Sequence, residues 1–417
     1  MRQFQFSIIL VFATVLAGCG GSDAGDQSPK IKFSSQVTFG DSLSDVGTYA
    51  VGGIAAAGGG KYTINDVGSD GKNKSKNWTE LIAAQLGLPA PCAAQTGLDG
   101  DAALGFSVPV VKYPACTGYA QGGSRVTNPV GPRNKLLGAA GGGSLGQLTV
   151  PVVTQIQNHL AANGGKFKGD EIVFVMAGGN DLLMQVGALQ SGATAAATAA
   201  VTAAVPGQIA QNIQKGTCVP ADAQASNCVA AAVAALTPTV GAAAANTYVQ
   251  TNAPAAVTAM GVAGAELAGY VKTLILGNGA KYVTVVNLPD ASTTPDALRN
   301  DAATVGLIAT LASTFNSQLK AGLGESANLL YVDAFAINRD WVSNPVQYGL
   351  TNVKDTACDL TPAKNPLAFS LICNKSNLTP GVVDNYLFAD GGGHVTPYGY
   401  TLLARAVSKD MIAKGWL

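Results

Sequence analysis

A hydroxyl after an apolar strand, an imidazole in a glycine-rich turn and a carboxylate beside it make up the reactive inventory of this chain. Ser42 sits in Phe39-Gly40-Asp41-Ser42-Leu43-Ser44-Asp45-Val46-Gly47. A serine in that setting has its backbone held and its side chain projected from the strand end. Its hydroxyl is a weak nucleophile at neutral pH until an adjacent base takes the proton. Two histidines exist, His159 and His394. His159, in Gln155-Ile156-Gln157-Asn158-His159-Leu160, reads as the exposed side of a helix with no carboxylate nearby. His394 ends Asp390-Gly391-Gly392-Gly393-His394 and precedes Val395-Thr396-Pro397, a loop opening a helix. Asp390 is placed to accept the Nδ1 proton, fix the tautomer and stabilise the imidazolium that forms. Ser42, His394 and Asp390 are therefore the expected catalytic residues, with Asp384 as the alternative acid. If neither carboxylate reaches the ring, serine and histidine would work as a dyad.

The elements around these residues must bring them together from far apart in the chain. Apolar segments rich in β-branched and aromatic residues predict buried strands at 37–40, 171–177, 281–287 and 329–333, with a fifth around 103–111. Helical patterns fall at 77–86, 149–162, 263–276, 301–323 and 396–414. Strands alternating with helices indicate βαβ units, hence a parallel sheet covered on both faces in a doubly wound, three-layer α/β domain. Ligands of such sheets bind beyond the carboxyl ends of the strands. Asp41-Ser42, Gly179-Asn180-Asp181 and Asp290 all follow predicted strands directly. Residues 189–260 differ: they are rich in Ala, Thr, Val and Gly without strand signal, and read as a helical insertion over the sheet edge. A structural insertion is the expectation, a lid over the site the alternative.

On these segments the chain resembles the GDSL (SGNH) family of serine esterases and lipases, with a match over 34–417. Gly40-Asp41-Ser42-Leu43 resembles the nucleophile block. Tyr119-Ala120-Gln121-Gly122-Gly123-Ser124 resembles the second block, Gly178-Gly179-Asn180-Asp181 the third, and the Asp390/His394 segment the last. The stretch Val285-Val286-Asn287-Leu288-Pro289-Asp290 is similar to the family's segment after the fourth strand. The resemblance implies a flavodoxin-like fold with a mostly parallel five-stranded sheet. It also implies an oxyanion hole made of the Ser42 N–H, the Gly123 N–H and the Asn180 side-chain amide. Asp181 is the better candidate to cap the following helix, and Asp45 and Asp290 are expected to be structural. One departure stands out: the family spaces its last block D-x-x-H, whereas three glycines separate Asp390 from His394. Glycines can bulge with φ > 0 and leave the loop ends in place.

Composition narrows the setting. The 25 basic and 25 acidic residues cancel, and the 12% charged fraction is about half the roughly 25% usual in soluble proteins. That balance argues against nucleic acid as a partner. Arg2, the apolar run 6–16 and Leu16-Ala17-Gly18-Cys19 read as a signal peptide over 1–18. The Cys after small residues resembles a bacterial lipobox, which implies acylation of Cys19, a polar tether over 19–33 and an outer-membrane lipoprotein. No later segment reads as a transmembrane helix, since Thr, Gln, Asn and Pro interrupt the Ala-rich stretches. The six remaining cysteines, an even number in an exported chain, predict disulfides. Nearest neighbours would pair Cys92 with Cys116, Cys218 with Cys228 and Cys358 with Cys373. No metal or organic cofactor is expected. The substrate expected is a small-molecule or lipid carboxylic ester. A glycan O-acetyl ester, or a surface-binding lipoprotein that has lost catalysis, are the alternatives; acyl length and oligomeric state stay open.

Overall fold

The computed structural model describes residues 31–382 and 385–417. The expected signal peptide, Cys19, the tether up to 30 and Asp384 lie outside the described residues. Four parallel strands form the central sheet in the order β1 (Gln36–Gly40), β4 (Ile172–Met176), β5 (Tyr282–Val286) and β6 (Leu329–Val332). They pair in register, Phe39 beside Val175 and Val285 beside Tyr331. Apolar side chains at alternate positions serve opposite faces, as the period of two along a strand requires. Val37, Phe39, Val173, Val175, Val283 and Val285 face one core; Ile172, Phe174, Met176, Val286 and Val332 face the other.

Helices cover both faces. α3 (Val152–Ala162), α6 (Ala242–Tyr270) and α7 (Ala302–Leu323) pack over the first core. α2 (Trp78–Gln85), α8 (Ala334–Ser343) and α9 (Pro397–Ala413) pack over the second. Sequence-encoded caps start several of them. Asn77 accepts from Thr79 N and Glu80 N in a capping box, Asp301 from Thr304 N and Thr396 from Gly399 N. α1 (Gly52–Ala56) is a single turn in the loops beyond the sheet.

The five-stranded expectation is corrected. The fifth segment is not in the sheet: β3 (Ser107–Lys112) pairs with β2 (Gln95–Asp99) in a separate antiparallel hairpin, its Val110 and Val111 exposed. In its place the chain touches the outer edge of β1 through one parallel bridge, Thr38 to Gly118, with Tyr119 N donating to Thr38 O at 2.8 Å. After β1 the chain thus visits one side of that strand and then crosses to β4 on the other. That reversal places a crevice at the carboxyl ends of β1 and β4. A further small parallel pair, β7 (Asn352–Thr356) with β8 (Tyr386–Phe388), leads into the Asp390 loop.

The 189–260 segment is helical throughout its length apart from a short connection. α4 (Gly179–Gln214) runs out and a continuous helical run, Ser226–Asn278, returns; the latter contains α5 (Ser226–Leu236) and α6. By length and composition alone both are long and apolar enough to cross a membrane, so the interruptions do not by themselves exclude it. Thr, Asn and Pro are absorbed within the helices, Pro206 in α4 and Pro254 in α6.

All three nearest-neighbour disulfides are present, Cys92–Cys116, Cys218–Cys228 and Cys358–Cys373, with Cα–Cα separations of 5.2, 5.9 and 5.9 Å. They indicate an oxidising, exported environment. The reading of His159 is also corrected. Its ring is 3% exposed, edge-on to Phe39 and Tyr119 and close to Phe167. Burial, reinforced by the Lys168 charge, lowers its pKa to about 4.

Candidate active site

Gly40 closes β1 in a conformation only glycine tolerates, with φ of 149° and an added Cβ 2.1 Å from Met176 O. Gln155 of α3 fixes it from both sides: Gly40 N donates to Gln155 Oε1 and Gln155 Nε2 donates to Gly40 O, each at 2.8 Å. The chain then turns through Ser42–Ser44, with Asp41 Oδ1 accepting from Leu43 N. Asp45 holds the rest of the loop by accepting from Gly47 N, Thr48 N and Gly122 N. That matches its structural expectation and ties the nucleophile loop to the second block. Trp78 Nε1 donates to Ser44 Oγ and Asn77 Nδ2 to Asp45 O, so the start of α2 braces the same loop.

The imidazole arrives from the other end of the chain. His394 Nε2 lies 2.8 Å from Ser42 Oγ, and its Nδ1 lies 2.6 Å from Asp390 Oδ2. Serine, histidine and aspartate therefore form one hydrogen-bonded line. The extra glycine is taken up by a closed turn. Ala389 N donates to His394 O at 2.8 Å, Phe388 bridges Val395, and Gly393 adopts φ of 101°. A side chain has no room at Gly391, where a Cβ would meet Asp296 Oδ1 at 2.1 Å, or at Gly393, where it would meet Thr294 Cγ2 at 2.9 Å. Asp390 is 1% exposed. Burial alone would raise its pKa, but the His394 charge and hydrogen bond, with those from Ser370, outweigh it and hold the carboxyl down to about 2. Ser370 N donates to Asp390 Oδ2 at 2.8 Å, Gly392 N to Oδ1 at 3.1 Å. The acid thus stays ionised beside the ring across the physiological range.

The expected oxyanion donors are grouped near the serine to different degrees. Asn180, in the first turn of α4, lines the same cavity as Ser42. One of its amide hydrogens is used by Ser124 O at 2.8 Å; an amide carries two. In the second block Gln121 N donates to Gly40 O, Gly122 N to Asp45 and Ser124 N to Gln121 O. Between Gln121 and Ser124 the Gly123 N–H is the one without a hydrogen bond among the described residues. Gly123 has φ of 80° and packs against Gln147 and Thr149; it is not part of the cavity wall. The Ser42 N–H likewise has no hydrogen bond among the described residues.

Asp181 does not cap α4, as expected from sequence. The helix already begins at Gly179, so Asp181 reaches sideways to accept from Arg125 Nε at 2.9 Å and Val126 N at 3.0 Å. Asp290 accepts from Ser292 and Arg339 and also forms part of the cavity wall. The cavity is about 120 Å³ and its walls are mostly apolar, among them Leu43, Leu182, Leu183, Leu288 and Trp341.

Three contributors escaped the sequence reading. Gln155 and Tyr62 act through tertiary contact. The Tyr62 ring packs at 4.8 Å against the His394 ring, its hydroxyl accepts from Gln147 Nε2, and a Cβ on Gly122 would overlap it. The third is Asp41, whose position beside the nucleophile was visible but whose environment was not. It is 4% exposed and lines the cavity. Burial pushes its pKa up to about 7, against the Leu43 hydrogen bond and the His394 charge. Among the described residues no group of His, Cys, Asp and Glu could hold a metal ion.

No family model and no curated protein matches the chain.

Proposed function

We propose that this chain is a serine carboxylic ester hydrolase of the GDSL (SGNH) kind, exported and tethered to the outer membrane through acylated Cys19. The observation that carries the reading is the contact line from Ser42 Oγ through His394 to Asp390, at 2.8 and 2.6 Å. Ser42 Oγ attacks the ester carbonyl as its proton passes to His394 Nε2; Asp390 holds Nδ1–H and offsets the imidazolium charge. The tetrahedral oxyanion is met by the Ser42 N–H and the free Asn180 amide hydrogen, both at the cavity; the Gly123 N–H, implied by the resemblance as a third donor, is not assigned, since Gly123 is not part of the cavity wall. Collapse expels the alcohol, which takes the proton from Nε2, and leaves an acyl-Ser42 ester. Water, deprotonated by His394, then repeats the sequence to release the acid.

The mostly apolar cavity favours an ester with an apolar group over a glycan acetate. Hydrolysis of short-chain p-nitrophenyl esters tests the proposal. The full chain is expected to turn them over and Ser42→Ala to lose about 10⁴–10⁶-fold in kcat with its fold intact. A folded Ser42→Ala variant as active as the parent would remove the proposal.

A further inference from the structure

Beyond its first turns, the α4 hairpin has a surface that the site does not use. Lys215 and Asp222 are the only charged side chains between Leu182 and Ala265, and both sit at the hairpin tip, next to the Cys218–Cys228 disulfide. The next charges, Asp181 and Glu266, lie at its base. Between tip and base the two helices run antiparallel in contact, Gly192 against Tyr248 and Gly241 against Val201. The 36 residues of α4 make it about 54 Å long at 1.5 Å per residue.

Core helices of soluble proteins can be this apolar because they are buried. These are not: the most apolar 18-residue windows of α4 and of Ser226–Asn278 are 17% and 22% buried. Val201, Ala232 and Leu236 form a thin seam, and Ala195, Ala199 and Ala203 are exposed outside it. Threonine hydroxyls along both helices are satisfied within them. Thr194, Thr198 and Thr202 donate to the carbonyls of Gln190, Thr194 and Thr198, and Thr247 and Thr251 do likewise in α6. A threonine bonded in this way presents its methyl outward and has no proton left to offer.

We propose that this hairpin docks on a lipid surface. An uncharged, largely apolar helix that is exposed on most of its sides is best covered by an apolar surround on most of them. A second copy of the chain would cover one face of the hairpin and leave the others in water, whereas lipid meets every face. Charges confined to the two ends fit the same solvent, since hydrocarbon excludes them from the middle. The base of the hairpin, through Leu182 and Leu183, is itself a wall of the cavity beside Ser42. The inference does not depend on the esterase reading, because its test measures partition and not turnover.

The test uses the full chain with Cys19→Ala, so that no acyl chain can anchor it, mixed with phosphatidylcholine vesicles and separated by flotation. The parent is expected to float with the vesicles. Ala195→Glu/Ala199→Glu/Ala203→Glu, with unchanged circular dichroism, is expected to lose about tenfold or more of the bound fraction. Thr198→Trp gives a second readout that needs no charge on the helix: its emission is expected to shift to the blue on adding vesicles. A parent that stays in the soluble fraction with no Trp shift overturns the proposal. So does a concentration-dependent dimer, formed without lipid and abolished by the glutamates, which would make a second copy the occupant.

Discussion

One helix serves two regions built on opposite rules. The first turn of α4 belongs to the pocket, where Asn180 reaches Ser124 and Asp181 reaches Arg125 and Val126, each more than fifty residues away in sequence. Its later turns belong to the hairpin, where hydroxyls are satisfied four residues back in the same helix. Pocket geometry is therefore held by long-range hydrogen bonds that one substitution can break. Hairpin structure is held by local propensity and a thin seam, so it tolerates change but fixes nothing outside itself. The consequence is separability: damage to the pocket should appear in chemistry, damage to the hairpin in stability and surface behaviour.

The largest effect on the pocket side, after loss of the nucleophile, is expected from Asp390→Asn. The amide cannot hold Nδ1–H in the required tautomer, and kcat should fall about 10⁴-fold with little change in melting temperature. Steady-state kinetics on a short aryl ester would check this; a change under tenfold would mean that the pair works as a dyad. Asn180→Ala should cost about 10²–10³-fold in kcat with KM nearly unchanged, because the amide hydrogen not taken by Ser124 O meets only the developing charge. If KM alone rose, Asn180 would be binding substrate and not the oxyanion.

On the hairpin side, replacing Cys218 and Cys228 by Ser opens a loop with a sequence separation of 10. Local stability should drop by about 2–3 kcal/mol, seen as faster amide exchange near the tip, while hydrolysis of a soluble ester stays within about twofold. A large loss of turnover would erase the contrast and make the hairpin part of the catalytic machinery.

A further effect is expected on the pH dependence of stability. Burial raises the Asp41 pKa from 3.8 to about 7, so the stability its protonated form contributes is full below about pH 3.8 and is lost as pH rises toward 7. Asp41→Asn should flatten that part of the stability curve, measured by urea unfolding between pH 4 and 8. His159 has the opposite sign. Its pKa is lowered from 6.5 to about 4, so its contribution is full above about pH 6.5 and is lost as pH falls to 4.

Much of the pocket was legible before the coordinates, for a physical reason. Ser42, His394 and Asp390, the proposed nucleophile, base and acid, each sit in a local setting, a strand end or a glycine turn, that leaves marks in sequence. The four central strands and five of the main helices were legible for the same kind of reason, as buried apolar runs and capped periodic segments. What was not legible depends on contact between distant residues. Gln155 looks like any helical glutamine until Gly40 is seen to need both of its amide atoms. His159 reads as exposed unless the aromatic cluster of Phe39, Tyr119 and Phe167 is known. The 103–111 run has strand composition, but Pro109 and its exposed valines suit a small outer hairpin better than the middle of a sheet. α8 leaves little mark in sequence, because only Ala334, Asn338 and Trp341 of its ten residues are buried. The hairpin was recognised as helical, while its lack of burial could only come from three dimensions.

The central claim is that Ser42 is activated by the His394–Asp390 pair within a single pocket. Incubation with a fluorophosphonate probe, followed by digestion and mass spectrometry, tests it most directly. One equivalent of phosphonate on the peptide containing Ser42, absent in His394→Ala, is the result expected. An unmodified Ser42 in the folded parent, or a label carried by another serine, would contradict it.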